Sequence, residues 1–310
     1  MTNNITAGNV ENCRNLIAGK FRNYGPPDCS YRLWHAGEIV QGKPNIFLVH
    51  GAVIPPGHVR EAPNDCFRQL GPLLHSEFHH NVWEFEYANE YFRHHVTRKD
   101  RYFNYLDLTT YGEELIDAIR GVRKYNLDGD VTIIGHSMGG LIARYAAQNI
   151  RDVEVNKIIT LDTGHLGFEL AKIVDELLVD YIGSHVQSLI HCSEDAKRGS
   201  PFIQELKEGF TPGNYELVSL AAGELGVGCI FFDELGELMG VNDLGERFRG
   251  IPIADWESSS MGQVDHHGHP TNVNYNIKFE IVKKVDHLNI ALITDPNKSP
   301  AYKKIISSLC

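Results

Sequence analysis

The sequence predicts an α/β protein: a mostly parallel sheet with helices on both faces. Three observations predict it. From residue 45 onward, strand-like runs alternate with amphipathic segments of helix length, the order that βαβ units produce. The runs are almost continuously apolar, as in Asn45-Ile46-Phe47-Leu48-Val49, which suits strands covered on both faces. One run, Val131-Thr132-Ile133-Ile134, ends in Gly135-His136-Ser137-Met138-Gly139 and passes directly into a helical pattern.

Taken in order, residues 1–42 are polar, contain Gly25-Pro26-Pro27, and read as an N-terminal extension with room for edge strands. A strand follows at 45–49. Residues 64–77 place Phe67, Leu70, Leu73 and Leu74 on one helix face. Residues 81–87 alternate as a strand. A helix over 106–125 turns Leu115, Ile116, Ile119 and Val122 inward. Strand 131–134, helix 138–149 and strand 156–161 come next. Beyond 165 the rhythm breaks. Leu170, Ile173, Val174, Leu177 and Leu178 form an apolar helix face, which an ordinary packing helix explains. Residues 202–210 look helical, and 183–213 is a candidate cap. A strand at 215–221 precedes a long insertion, 225–276, whose apolar part (227–239) could help shape a pocket. The last strand lies within 277–284. The whole, 1–310, reads as a single domain.

Composition bounds the function. The net charge of −11 argues against nucleic acid or an anionic membrane as the main partner. The sequence has no apolar run long enough to span a bilayer. Its start lacks the basic and apolar regions of a signal peptide. The cytoplasm is the default reading, and a secreted mature form stays open. Six cysteines are too few for a disulfide scaffold. Cys13 and Cys29 are close enough in sequence to bridge, and reduced thiols are the default.

The chemistry centres on Ser137. A sharp strand-to-helix turn holds its apex residue in a strained conformation and leaves no room for side chains two positions away on either side. Gly135 and Gly139 meet that demand. The serine Oγ then stands at the positive end of a new helix. Upstream, Phe47-Leu48-Val49-His50-Gly51 is a strand ending in His-Gly. The loop after such a strand can supply a backbone N–H to a developing oxyanion.

These segments resemble the α/β-hydrolase superfamily, in its lipase and esterase branch. Residues 158–167 are similar to that family's Thr-x-x-Thr-Pro-His-x-Gly segment, with Gly164 where Pro is usual. The resemblance covers 43–172 and resumes at 277–293. It implies an α/β-hydrolase fold and a triad in the chain order Ser, acid, His. The oxyanion donors would be the N–H of Met138 and that of Ala52 or Val53. Ser137 would be the nucleophile. His287, just past the last strand in Asp286-His287-Leu288 and expected to open a helix, would be the base. His136 and His50 read as local packing or support. Three aspartates compete for the acid. Asp243, in Val241-Asn242-Asp243-Leu244-Gly245, resembles the Asn-Asp-Gly of many bacterial lipases and leads. Asp255 precedes a serine run. Asp162 stands where pancreatic-type lipases carry their acid.

Asp265-His266-His267-Gly268-His269, with His79-His80 and His94-His95, has the composition of a metal site without its spacing. No cofactor is expected; a structural Ca²⁺ bracing the acid loop enters only by analogy with some bacterial lipases. The expected activity is hydrolysis of carboxylic esters, with an acyl ester or lipid as substrate. A thioesterase or amidase on the same triad is the alternative. A non-catalytic binding protein of this fold is the reading from a different class, and such a protein would typically lack the serine or the histidine.

Overall fold

The structure, a computed structural model, describes residues 21–23, 31–51, 65–67, 69–87, 107–123, 129–168, 194–224, 253–293 and 295–309. The strands are β1 (Phe21–Asn23), β2 (Arg32–Ala36), β3 (Asn45–Val49), β4 (Asn81–Glu86), β5 (Val131–His136), β6 (Val155–Leu161), β7 (Glu216–Ala222) and β8 (Lys278–Val282). They form one sheet in the order β1-β2-β4-β3-β5-β6-β7-β8. β1 and β2 pair antiparallel, as does β2 with β4, and every other pair is parallel. The room for edge strands in the extension is thus filled by β1 and β2.

Alternation along each strand builds two cores. Phe47, Val49, Trp83, Phe85 and Ile133 face one side; Ile46, Leu48, Val82 and Ile134 face the other. The helices are α1 (Leu70–Phe78), α2 (Leu108–Arg123), α3 (Met138–Asn149), α4 (Pro201–Glu208), α5 (Trp256–Ser259) and α6 (Pro300–Leu309). α2, α3 and α4 cover the first face through residues such as Leu115, Leu141 and Phe202. α1 and α6 cover the second through Leu70, Leu74 and Ile305.

The boundaries shift where local chemistry demands. The helix expected from 64 begins as a 3₁₀ turn, Asp65–Phe67, and α1 starts only at Leu70. Pro72 explains this: inside a longer helix its ring would strike the carbonyl four residues back, whereas in the first turn it is tolerated. The helix expected at His287 is instead a hydrogen-bonded turn. The Asp286 carboxylate accepts from Leu288 N–H (3.0 Å) and Asn289 N–H (2.8 Å). Of the candidate cap, residues 194–213 are described and carry α4, which packs on α3. Residues 183–193, and 225–252 of the insertion, lie outside the described residues.

Candidate active site

Parallel strands bring their carboxyl ends to one edge, where ligands of such sheets bind. β3 delivers His50 and Gly51 there, β5 delivers Ser137, β6 delivers Asp162, and the loop after β8 delivers His287. Ser137 has φ 53° and ψ −125°, a conformation that costs a non-glycine residue energy and persists only when its surroundings enforce it. The surroundings do. A Cβ on Gly139 would lie 2.3 Å from the carbonyl oxygens of Val49 and His50, and one on Gly135 would lie 2.6 Å from the Gly139 carbonyl. Strand, turn and helix touch backbone to backbone, so the turn cannot relax. Ser137 N–H donates to the Leu161 carbonyl (2.9 Å), and Thr163 Oγ1 donates to the Ser137 carbonyl (2.9 Å).

At the other end of the site, His287 Nδ1 lies 2.6 Å from Asp162 Oδ2. The second carboxylate oxygen, Oδ1, accepts the Ala222 N–H at 2.9 Å. Asp162 is 2% exposed and His287 7%. An ionised carboxylate can only accept, so the proton sits on Nδ1 and Nε2 keeps its lone pair. Of the three candidate aspartates, Asp162 is the one seen against His287 among the described residues. Asp243 itself lies outside the described residues. Asp255 is occupied elsewhere: it caps α5, accepting from Ser258 N–H at 2.6 Å.

The serine run after Asp255 has a different task. Ser258 Oγ donates to the Gly167 carbonyl (2.7 Å) and accepts from Leu166 N–H (2.9 Å), bracing the loop that begins at Asp162. Arg144 braces it from the opposite side. Its wholly buried guanidinium donates to the His165 carbonyl (3.2 Å) and the Leu206 carbonyl (2.8 Å). Burial, then the Arg144 charge, holds His165 well below the usual histidine range. The neutral ring accepts from Arg144 at Nδ1 and donates to Thr160 Oγ1 at 3.0 Å.

The oxyanion side is partly described. Met138 opens α3, and first-turn amides have no acceptor within their own helix. Ala52 and Val53 lie outside the described residues. The loop leading to them is held closely. A Cβ on Gly51 would be 2.8 Å from Ser137 Cβ. Tyr87 Oη lies 2.8 Å from the His50 carbonyl and 3.0 Å from that of Gly51, and its ring stacks on His50 at 4.2 Å. Nothing in the sequence singles out Tyr87 or Arg144, and the serine run containing Ser258 points there only to Asp255. An alternating pattern gives a strand's faces but not which side chain reaches a neighbouring loop. The histidine loop has a geometry of its own: His269 pairs with Asp265 at 3.3 Å. Among the described residues no group of three or more His, Cys, Asp or Glu is arranged to hold a metal ion, and no helix is long and apolar enough to cross a membrane.

A family profile described as "PGAP1-like alpha/beta domain" matches residues 42–180. No curated protein sequence matches the chain. Among solved structures, the mature form of Bacillus licheniformis lipase BlEst2 superposes with a TM-score of 0.54 at 17% identity, covering 91% of this chain and 99% of its own. A thermostable carboxyl esterase from Bacillus coagulans gives 0.53 at 13% identity, covering 95% and 98%. Monoglyceride lipase from Saccharomyces cerevisiae gives 0.51 at 12% identity, covering 95% and 94%. Identities this low speak to the shape of the chain rather than to its substrate, and by that shape the chain is an α/β-hydrolase-fold protein.

Proposed function

We propose that this chain is a serine hydrolase that cleaves carboxylic esters, with Ser137 as nucleophile, His287 as general base and Asp162 as the acid that orients it. One observation carries the reading. A serine held at φ 53° and a histidine whose Nδ1 is taken by a buried carboxylate stand at the carboxyl ends of strands of the same sheet. Such a histidine has its lone pair at Nε2 and a partner for the positive charge it gains.

In this mechanism Ser137 Oγ attacks the ester carbonyl while His287 Nε2 takes its proton. The Met138 N–H and a donor from the loop at Ala52 and Val53 hold the negative oxygen. His287 returns the proton to the departing alcohol, leaving an acyl-serine. Water, deprotonated by the same nitrogen, attacks that acyl group. The acid leaves and the proton returns to Ser137. Three of the structural neighbours are named as a lipase, a carboxyl esterase and a monoglyceride lipase, which supports an ester as the substrate class.

A fluorophosphonate probe with intact-mass analysis tests the reading. Wild type should gain one adduct, on Ser137. Ser137→Ala should gain none and should lose hydrolysis of short p-nitrophenyl esters by ~10⁴–10⁶ in kcat. A Ser137→Ala variant retaining a tenth of wild-type turnover would overturn the assignment.

A further inference from the structure

His136, the residue before the serine, makes contacts that the triad does not use. Its Nε2 lies 2.8 Å from the backbone carbonyl of His287, and the two rings approach to 4.7 Å between centroids. Its Nδ1 lies 3.4 Å from Cys66 Sγ, a normal distance for a sulfur hydrogen bond. Cys66 sits on the 3₁₀ turn Asp65–Phe67, and its sulfur also accepts the backbone N–H of Gly51. A Cβ on Gly51 would lie only 3.1 Å from His136 Nδ1, so the three groups are packed in direct succession.

The protons in this succession can be assigned. A carbonyl oxygen accepts only, so His136 carries its hydrogen on Nε2 and gives it to His287. Burial first, then the neighbouring His287, pushes the His136 imidazole down to about 3, so the ring is neutral and Nδ1 keeps a lone pair. Cys66 must donate its S–H to that nitrogen. Burial, with Glu84 nearby, pushes the thiol up to about 12, so the proton is there to be donated. The result is a neutral, directional relay: Gly51 N–H to Cys66 sulfur, Cys66 S–H to His136 Nδ1, His136 Nε2–H to the His287 carbonyl.

The relay joins the strand end leading to the oxyanion loop with the loop carrying the base, through the residue next to the nucleophile. Resting on the triad reading above, we propose that Cys66 and His136 are positioning residues that set the distance between the oxyanion donors and His287. They touch no substrate. Their effect is that Ser137, the oxyanion donors and the base keep one spacing, and a displacement of ~1 Å at such a site costs ~10²-fold in rate.

The test uses the full-length protein and four variants: His136→Phe, His136→Gln, Cys66→Ala and Cys66→Ser. Phe keeps a ring but cannot donate to the His287 carbonyl; Gln keeps a donor. Ala ends the relay at Cys66; Ser keeps a group that both donates and accepts. We expect His136→Phe and Cys66→Ala to lower kcat by ~10–10²-fold with KM nearly unchanged, because binding is not what is lost. Their pH–rate profiles should shift, since the base has moved. His136→Gln and Cys66→Ser should recover most of kcat and the wild-type profile. The far-downfield proton resonance of the His287–Asp162 bond should move in the first pair and hold in the second. Thermal melts identify any variant that misfolds, and Cys66→Ser against Cys66→Ala then decides alone. Wild-type kcat and pH profile in a folded Cys66→Ala or His136→Phe would overturn the proposal. So would equal loss in Ser and Ala at 66. Failure of the triad reading would look different: an unlabelled Ser137 in wild type, with Ser137→Ala still active.

Discussion

Replacing Asp162 by asparagine tests the acid, and the structure says which way the new amide would point. The carboxylate has two fixed neighbours, the His287 ring at 2.6 Å and the Ala222 N–H at 2.9 Å. The Ala222 amide can only donate, so it captures the carbonyl oxygen of the substituted side chain. The NH₂ group then faces His287 Nδ1. That nitrogen must become the acceptor, the ring proton moves to Nε2, and Nε2 can no longer take the serine proton. The opposite amide orientation sets two donors against each other in a buried place, at a cost of about 1–3 kcal/mol. It is therefore populated roughly 5–150-fold less often. Turnover should fall by roughly 5–150-fold from the tautomer alone, and the lost carboxylate charge, which no longer stabilises the imidazolium, adds to this up to ~10⁴ in kcat, about 5.4 kcal/mol. KM should change little. The fold should persist, because Asp162 holds φ 48° and asparagine tolerates that region well. The assay is steady-state hydrolysis of a short p-nitrophenyl ester, with Asp243→Asn and Asp255→Asn measured beside Asp162→Asn. Asp162→Asn above a tenth of wild-type kcat, or a collapse at Asp243 with Asp162→Asn active, would refute the reasoning.

Two further outcomes follow from packing and charge. Gly139→Ala should lower the melting temperature or abolish soluble protein, because its Cβ would sit 2.3 Å from two backbone oxygens of β3 and its end. Gly209→Ala, whose nearest contact is the flexible end of Gln148 at 3.1 Å, should melt close to wild type; equal losses would discredit the steric account. Glu114→Gln should stabilise at alkaline pH only. Burial, then Asp117, raises the Glu114 carboxyl from 4.5 to about 7. The folded protein thus holds that proton more tightly than the unfolded chain. The stability tied to it is complete below pH 4.5 and is lost as pH rises through 7. Melts of the variant and wild type should agree near pH 4.5 and diverge at pH 8, with the variant higher; a constant difference would contradict the assignment.

What can be read in the sequence is what is local in it. The demand for small residues around Ser137 is met within five positions, so the elbow stands out in one line of text. The strand end at Gly51 and the site after β8 follow from alternation. The proposed acid does not. Three aspartates follow strands or precede serine runs, and the choice falls to whichever reaches His287 across the end of β7. That reach depends on strand order and on the Ala222 N–H, neither of which leaves a mark in the spacing. The roles of Tyr87, Ser258 and Arg144 are hidden for the same reason, since each acts on a loop far away in the chain. Residues 64–77 differ from expectation more simply: the apolar face holds, and Pro72 overrules the first turn.

The position of β8 bears on how the protein comes into being. Among the described residues β8 is an edge strand that pairs only with β7, and the proposed base follows it. His287 is 125 residues beyond Asp162. At ~5–20 residues per second a ribosome needs roughly 6–25 s to cover that distance. During that interval the emerged chain holds its serine and its aspartate without a proton acceptor between them. On the proposed triad, a nascent or truncated polypeptide ending before residue 278 lacks the base and is expected to leave esters intact. A separate peptide spanning the missing segment would supply the base only by remaking both the β7–β8 pairing and the packing of α6 through Ile305.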